Sequence, residues 1–186
     1  MFRENKDPNE MLTSFFTRWL TEAFSDVQIF DRNAVLYIAE ILGHFANSEI
    51  LHKIQNLQQL KSNTIVEMLI QAEDKSQPSE PGFDPFGERN IRKHVADYTL
   101  FMTGIFREYI EKIGILDLYF HEGRNSYKQV YEFDKSISKP KAGIFEQLHT
   151  NFEQYSSGIN YMKKVYFDAK MPINTPRDIL KTIYLN

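Results

Sequence analysis

Asp97 is the only charged side chain in the run from Val95 to Phe106. Charge returns on both sides, from Arg89 to His94 and from Arg107 to Lys112. A helix that is apolar almost all round belongs in a core. A carboxylate there is costly unless a partner neutralises it or hydrogen-bonds to it. The residue types at hand allow two kinds of chemistry. His94, three positions earlier, lies on the adjacent helix edge, and an Asp–His pair can orient an imidazole, hold a metal or act as a general base. A second cluster, His121 to Tyr127, supplies another imidazole, the Arg124 guanidinium and the Tyr127 phenol. Alternatively Asp97 would make a structural pair with His94, with Arg92 or with an Arg or Tyr of another helix, and Arg124 is the natural candidate. Gly104 and Gly123 would let the two helices cross tightly. The structural pair is the expected role, since perturbed carboxylates often belong to structural networks. His94, Asp97, Tyr98, His121, Arg124 and Tyr127 thus form a candidate polar cluster, with no catalytic residue assigned. The enzyme alternative would use His94, Asp97 and His121, with Glu108 as a further acid.

Other chemistry has thinner support. Glu146-Gln147-Leu148-His149 has the Glu-x-x-His spacing of di-iron bundles, but such a site needs two of these motifs and two further glutamates. Glu40 and His44 stand four apart, as do His94 and Tyr98. No His-Glu-x-x-His, Gly-x-Ser-x-Gly, Walker loop or Gly-x-Gly-x-x-Gly occurs. The expectation is therefore no metal and no cofactor. Ser156-Ser157-Gly158 reads as a packing notch inside a helix. Arg89, Arg92, Lys93 and His94 read as a solvated basic face, with a phosphate contact as the alternative.

Helical periodicity runs through the chain, and alternating strands are missing. Asp7-Pro8-Asn9-Glu10 is a helix start, with Leu12, Phe15, Phe16, Trp19, Leu20 and Phe24 on its apolar face and a stop near Ser25. A second helix starts at Asp31 and places Val35, Leu36, Ile38, Ala39, Leu42 and Phe45 inside. Others are predicted over about 49–60, 64–73, 88–106, 107–113, 117–133 and 179–185. The segment 75–88 holds three prolines and two glycines, which argues against regular structure there. Phe83 and Phe86 suggest that it is a strap docked on the body rather than a free linker. From Pro140 to about Asp168 a long helix carries Phe145, Leu148, Phe152, Tyr155, Ile159, Met162 and Tyr166 on a heptad seam. An aromatic seam suits the centre of a bundle better than a tight two-stranded coiled coil.

The prediction is an all-α single-domain helical bundle over 1–186. It has about seven or eight helices, antiparallel neighbours and one long central C-terminal helix. Helical halves 7–74 and 88–186 flank the strap at 75–88.

Composition narrows the function classes. Hydrophobic residues make up 42% and charged residues 25%, ordinary for a soluble globular protein. The net charge of -3 makes nucleic acid an unlikely partner. Residues 135–186 hold eight Lys/Arg against four Asp/Glu, which complements the acidic remainder of the chain. No cysteine is present, which removes disulfides and thiol chemistry and fits a cytoplasmic location. The first residues are too polar for a secretory signal, and no apolar stretch is long enough for membrane insertion. The leading expectation is binding or self-association rather than catalysis, as a homodimer or with a protein partner. The alternative is a small apolar ligand held in the bundle with a polar anchor at Asp97.

Overall fold

The computed structural model describes residues 8–46, 63–78 and 81–166. Among the described residues there are eight helices and no strand. They are α1 (Pro8–Asp26), α2 (Arg32–Ala46), α3 (Asn63–Ser76), α4 (Pro85–Ile105), α5 (Arg107–Lys112), α6 (Leu116–Ser136), α7 (Ala142–Thr150) and α8 (Phe152–Tyr166). The protein is an all-α helical bundle. No helix among the described residues is long and apolar enough to cross a membrane. The cap at Asp7 and the helices expected over 49–60 and 179–185 lie outside the described residues.

The chain divides into two compact units, Met1–Gln59 with Gly158–Asn186, and Leu60–Ser157. The division falls at 59/60 and inside α8. The 75–88 segment lies within the second unit.

In the first unit α1 and α2 form a helical hairpin. Leu12, Phe16, Leu20 and Phe24 of α1 are buried, as are Val35, Ile38, Leu42 and Phe45 of α2. Removing each such side chain from water contributes about 1.5–3 kcal/mol before the entropy of ordering is counted. The hydrogen bonds Ile29 N to Phe24 O and Gln28 N to Ser25 O close the end of α1, with Gln28 at φ 60°. This is the 6→1 and 5→2 pattern that usually places glycine at the left-handed position. Asp31 then caps α2 by accepting from Ala34 N at 3.0 Å. Beside the end of α1 Tyr166 stacks on Trp19, ring centres 5.0 Å apart, and its hydroxyl donates to Asp26 Oδ2 at 2.6 Å. That hydrogen bond to the acid, together with burial, pushes the Tyr166 phenol up to about 12.

In the second unit α4 packs on α3 and α6, and α6 packs on α7. α4 begins earlier than the proline content suggests. Asp84 caps it by accepting from Gly87 N at 2.8 Å, and Pro85 occupies the first turn, where its missing N–H costs nothing. The end of the supposed irregular segment is therefore the first turn of α4. Of the two strap phenylalanines, Phe86 meets Phe133 edge to face at 5.2 Å, yet both stay about half exposed, Phe83 at 46% and Phe86 at 55%. From Val95 to Ile105 every residue of α4 is buried. Residue 89 faces 134, 97 faces 127 and 99 faces 123, so α4 and α6 run antiparallel.

Gly123 is the notch at which they meet. A Cβ there would overlap the Phe152 ring and come within 2.5 Å of Thr99 Oγ1. α5 and α6 end in the same hydrogen-bond pattern as α1, around Gly114 at φ 73° and Ser138 at φ 55°.

The long helix expected from Pro140 is divided at Asn151 into α7 and α8. Asn is a weak helix former, whose side chain competes for backbone groups. Hydrogen bonds from Asn151 N to Gln147 O and from Tyr155 N to Asn151 O span the break. The seam residues Phe145, Leu148, Phe152, Tyr155, Ile159 and Met162 are all buried.

Candidate functional site

Asp97 is 8% exposed and is held from two sides. Lys93, one turn earlier on α4, reaches Oδ2 at 2.6 Å. The Tyr127 hydroxyl of α6 donates to Oδ1 at 2.8 Å. Tyr127 has no solvent exposure, whereas the Lys93 side chain is about one-third exposed. The cluster thus opens to solvent along the lysine stem and closes against α6. The ammonium supplies the countercharge, and the phenol supplies a hydrogen bond that the core could not otherwise offer.

Two turns nearer the start of α4 a second, stronger pair joins the same two helices. Arg89 Nε donates to Asp134 Oδ1 at 2.9 Å and Nη2 donates to Oδ2 at 2.6 Å. This fork-to-fork geometry fits a guanidinium to a carboxylate. Lys139 adds a third contact, Nζ to Oδ1 at 3.3 Å. The cap of α6 places it there, because Lys139 N bonds to Asp134 O. Burial pushes the Asp134 carboxyl up, but the Arg89 and Lys139 contacts outweigh it and hold the group below its ordinary value. The Arg89 guanidinium also lies over the Phe145 ring at 5.3 Å.

The other candidates have different surroundings. Arg124, expected to pair with Asp97, instead meets Glu153 at 3.0 Å, both side chains about half exposed. It sits one position after the Gly123 notch, about 100° round the helix, and so points off the α4-facing stripe of α6. His121 is 69% exposed and 3.9 Å from Glu122. His94 is half-buried. Tyr98 turns to Tyr119, ring centres 6.3 Å apart, and burial followed by the neighbouring phenols raises its pKa. Of the six residues in the expected cluster, the structure joins Asp97 and Tyr127.

Glu146 and His149 both meet Tyr131: its hydroxyl donates to Glu146 Oε1 at 2.9 Å and its ring lies 6.2 Å from the imidazole. Among the described residues no three His, Asp or Glu side chains gather as a metal site would require. Ser126 and Ser156 have buried hydroxyls without a hydrogen-bond partner among the described residues.

Spacing alone assigns no such pairing to Lys93, Arg89 and Asp134, yet each carries a readable signal. Arg89, Lys93 and Asp97 follow at steps of four, one strip of a helix. Asp134 continues the buried stripe Gly123, Tyr127, Val130 at the next step of four.

The first unit holds a different kind of site. An open groove of about 520 Å³ lies between α1 and α2. The hydroxyl residues Thr17, Thr21 and Ser25 form its α1 side, and Ile29, Val35 and Leu36 its apolar side. Thr17 and Thr21 donate to the carbonyls of Thr13 and Thr17 at 2.8 and 2.7 Å, so toward a ligand these hydroxyls act as acceptors. Phe30 stands on the rim, 80% exposed. It directly precedes the cap Asp31, where a hydrophobic staple onto Val35 would ordinarily fold it down. Leu36, expected inside α2, is also exposed and lines the groove. Asp31 and Arg32 complete the rim. Arg32 makes no ion pair among the described residues. The groove can shelter an apolar group.

No protein-family model, curated protein or solved structure matches this chain.

Proposed function

We propose that this protein works by binding rather than by catalysis, and that the α1–α2 groove takes an apolar group. That group is a side chain of a protein segment or a small apolar ligand. The observation that carries the reading is Phe30, four-fifths exposed on the rim of a concave, mostly apolar surface. Its volume lies within the roughly 300–1,000 Å³ typical of binding pockets. The polar groups of the second unit support the same reading from the other side. The carboxylates of Asp97 and Asp134 are engaged by cations and a phenol, as structural pairs are. The polar anchor of the site is accordingly the hydroxyl strip of α1 rather than Asp97. A cytoplasmic setting belongs to this reading, since a chain without cysteine makes no use of an oxidising compartment.

A neutral, environment-sensitive dye such as Nile red tests it. The folded full-length chain, diluted until any self-association is lost, should bind the dye, and Thr21→Trp, which fills the groove from an exposed position, should abolish binding without loss of helicity. A folded chain that takes up no dye, or whose uptake ignores Thr21→Trp, would end the proposal.

A further inference from the structure

We infer that the occupant of this groove is a second copy of the same chain, docked about a two-fold axis through the α1–α2 turn. The inference rests on the groove-binding reading above and names its partner. Three observations carry it.

The patch supplies both a knob and a hole. Phe30 projects from the rim of the groove that its counterpart would enter, so the two belong to one contiguous surface. A surface that is its own complement closes as a pair, because each contact is made twice about the axis. A knob and hole on separate faces would instead build rings or filaments.

The patch also supplies both charges. Asp31 and Arg32 are adjacent on the rim and opposite in sign. About a two-fold axis beside them, Asp31 of each copy meets Arg32 of the other. Arg32 is exposed and makes no ion pair among the described residues. The Asp31 carboxylate caps α2 through Oδ1, and a carboxylate has lone pairs enough to accept from a guanidinium as well. An unrelated apolar partner would need to match this pattern independently, whereas a second copy matches it by symmetry.

The turn bearing Phe30 is held in a conformation that its sequence does not favour. Gln28 occupies a left-handed position ordinarily taken by glycine, and Ile29 is buried beneath the turn while Val27 and Phe30 face outward. The backbone thereby fixes Phe30 in its outward position before any partner arrives, which lowers the ordering cost of docking.

Sedimentation of the full-length chain across the micromolar range tests the inference. A reversible species of twice the monomer mass is expected. Phe30→Ser should weaken it by about thirtyfold or more, the scale of a central aromatic anchor. Phe30 is exposed, so circular dichroism should show unchanged helicity.

Changing the charges gives an independent arm. Arg32→Asp should stay monomeric, and Asp31→Asn, which keeps a capping side chain on α2 while losing the charge, should weaken the dimer.

A chain that stays monomeric, takes up Nile red and loses that uptake in Thr21→Trp would overturn the inference and leave the groove reading intact. Absence of both dimer and dye uptake would remove both. A dimer indifferent to Phe30→Ser and to both charge variants would also overturn it.

Discussion

Arg89 and Asp134 allow a sharp test of how the second unit is held together. Their side chains are 12% and 2% exposed, so neither ion is effectively solvated when its partner is removed. Asp134→Leu leaves the Arg89 guanidinium without a carboxylate and should cost about 3–5 kcal/mol, the scale for breaking a buried pair from one side. That is a large share of the roughly 5–15 kcal/mol that holds a typical domain folded. Arg89→Met should cost less, because Lys139 still reaches Asp134 and the methionine chain can still cover the Phe145 ring.

The double variant Arg89→Met/Asp134→Leu removes both ions together and should be clearly more stable than Asp134→Leu alone. Urea unfolding followed by circular dichroism measures all four proteins. Acid supplies a second readout. The folded Asp134 carboxyl lies below its ordinary value, so its contribution is fully present above the unfolded pKa of about 4 and is lost as pH falls through the folded pKa. The double variant should lack this part of the acid limb. If Asp134→Leu costs less than about 1 kcal/mol, the value of an exposed pair, the pair is not desolvated as argued.

Tyr127→Phe should cost about 1.5–3 kcal/mol by stripping a hydrogen bond from the buried Asp97 carboxylate. Lys93→Met should cost less, because that side chain is one-third exposed. Thermal unfolding that ranks these two variants the other way would put the lysine, not the phenol, at the centre of the cluster. Gly123→Ala gains about 1 kcal/mol of helix propensity. The added methyl collides with Phe152 and Thr99, and overpacking of this kind costs about 1–3 kcal/mol. A net loss of stability is expected, relieved when Phe152→Leu is added, and a stabilised single variant would refute the close crossing.

Much of this architecture is legible along the chain because it is local. The four-residue steps of Leu12, Phe16, Leu20 and Phe24 mark the buried face of α1, and the heptad seam from Phe145 to Met162 stays buried through the break at Asn151. A stop at Gly114 is readable because glycine suits a left-handed cap. The caps at Gln28 and Ser138 are not, since neither residue signals φ above zero.

Asp97 announces itself as a charge in an apolar run, and the cost of burying it calls for a partner without saying on which helix. Which side chain answers depends on rotation about the α6 axis. Tyr127 lies on the stripe with Gly123 and Val130, while Arg124 lies off it and finds Glu153. Arg89 and Asp134 are separated by 45 residues, and no short-range pattern joins them. Leu36 misleads for the opposite reason. It looks like core by type, but the staple that would close the hairpin over it is open.

The two units handle costly groups in opposite ways, and this bears on where function lies. In the second unit the carboxylates of Asp97 and Asp134 are buried but partnered, so their desolvation is offset inside the folded chain. In the first unit Phe30 forgoes about 1.5–3 kcal/mol by remaining in water. Gln28, two residues earlier, gives up a further 1–2 kcal/mol, roughly, in a left-handed conformation without glycine. The hydrogen bonds that close α1 offset part of the second term, whereas Phe30 stays four-fifths exposed. Folding alone would favour a glycine in place of Gln28 and a Phe30 folded onto Val35, the usual staple. Docking reverses the first term, because an entering apolar group covers Phe30 and the groove together. The exposed Phe30, rather than the compensated charges, is therefore where a partner has most to contribute.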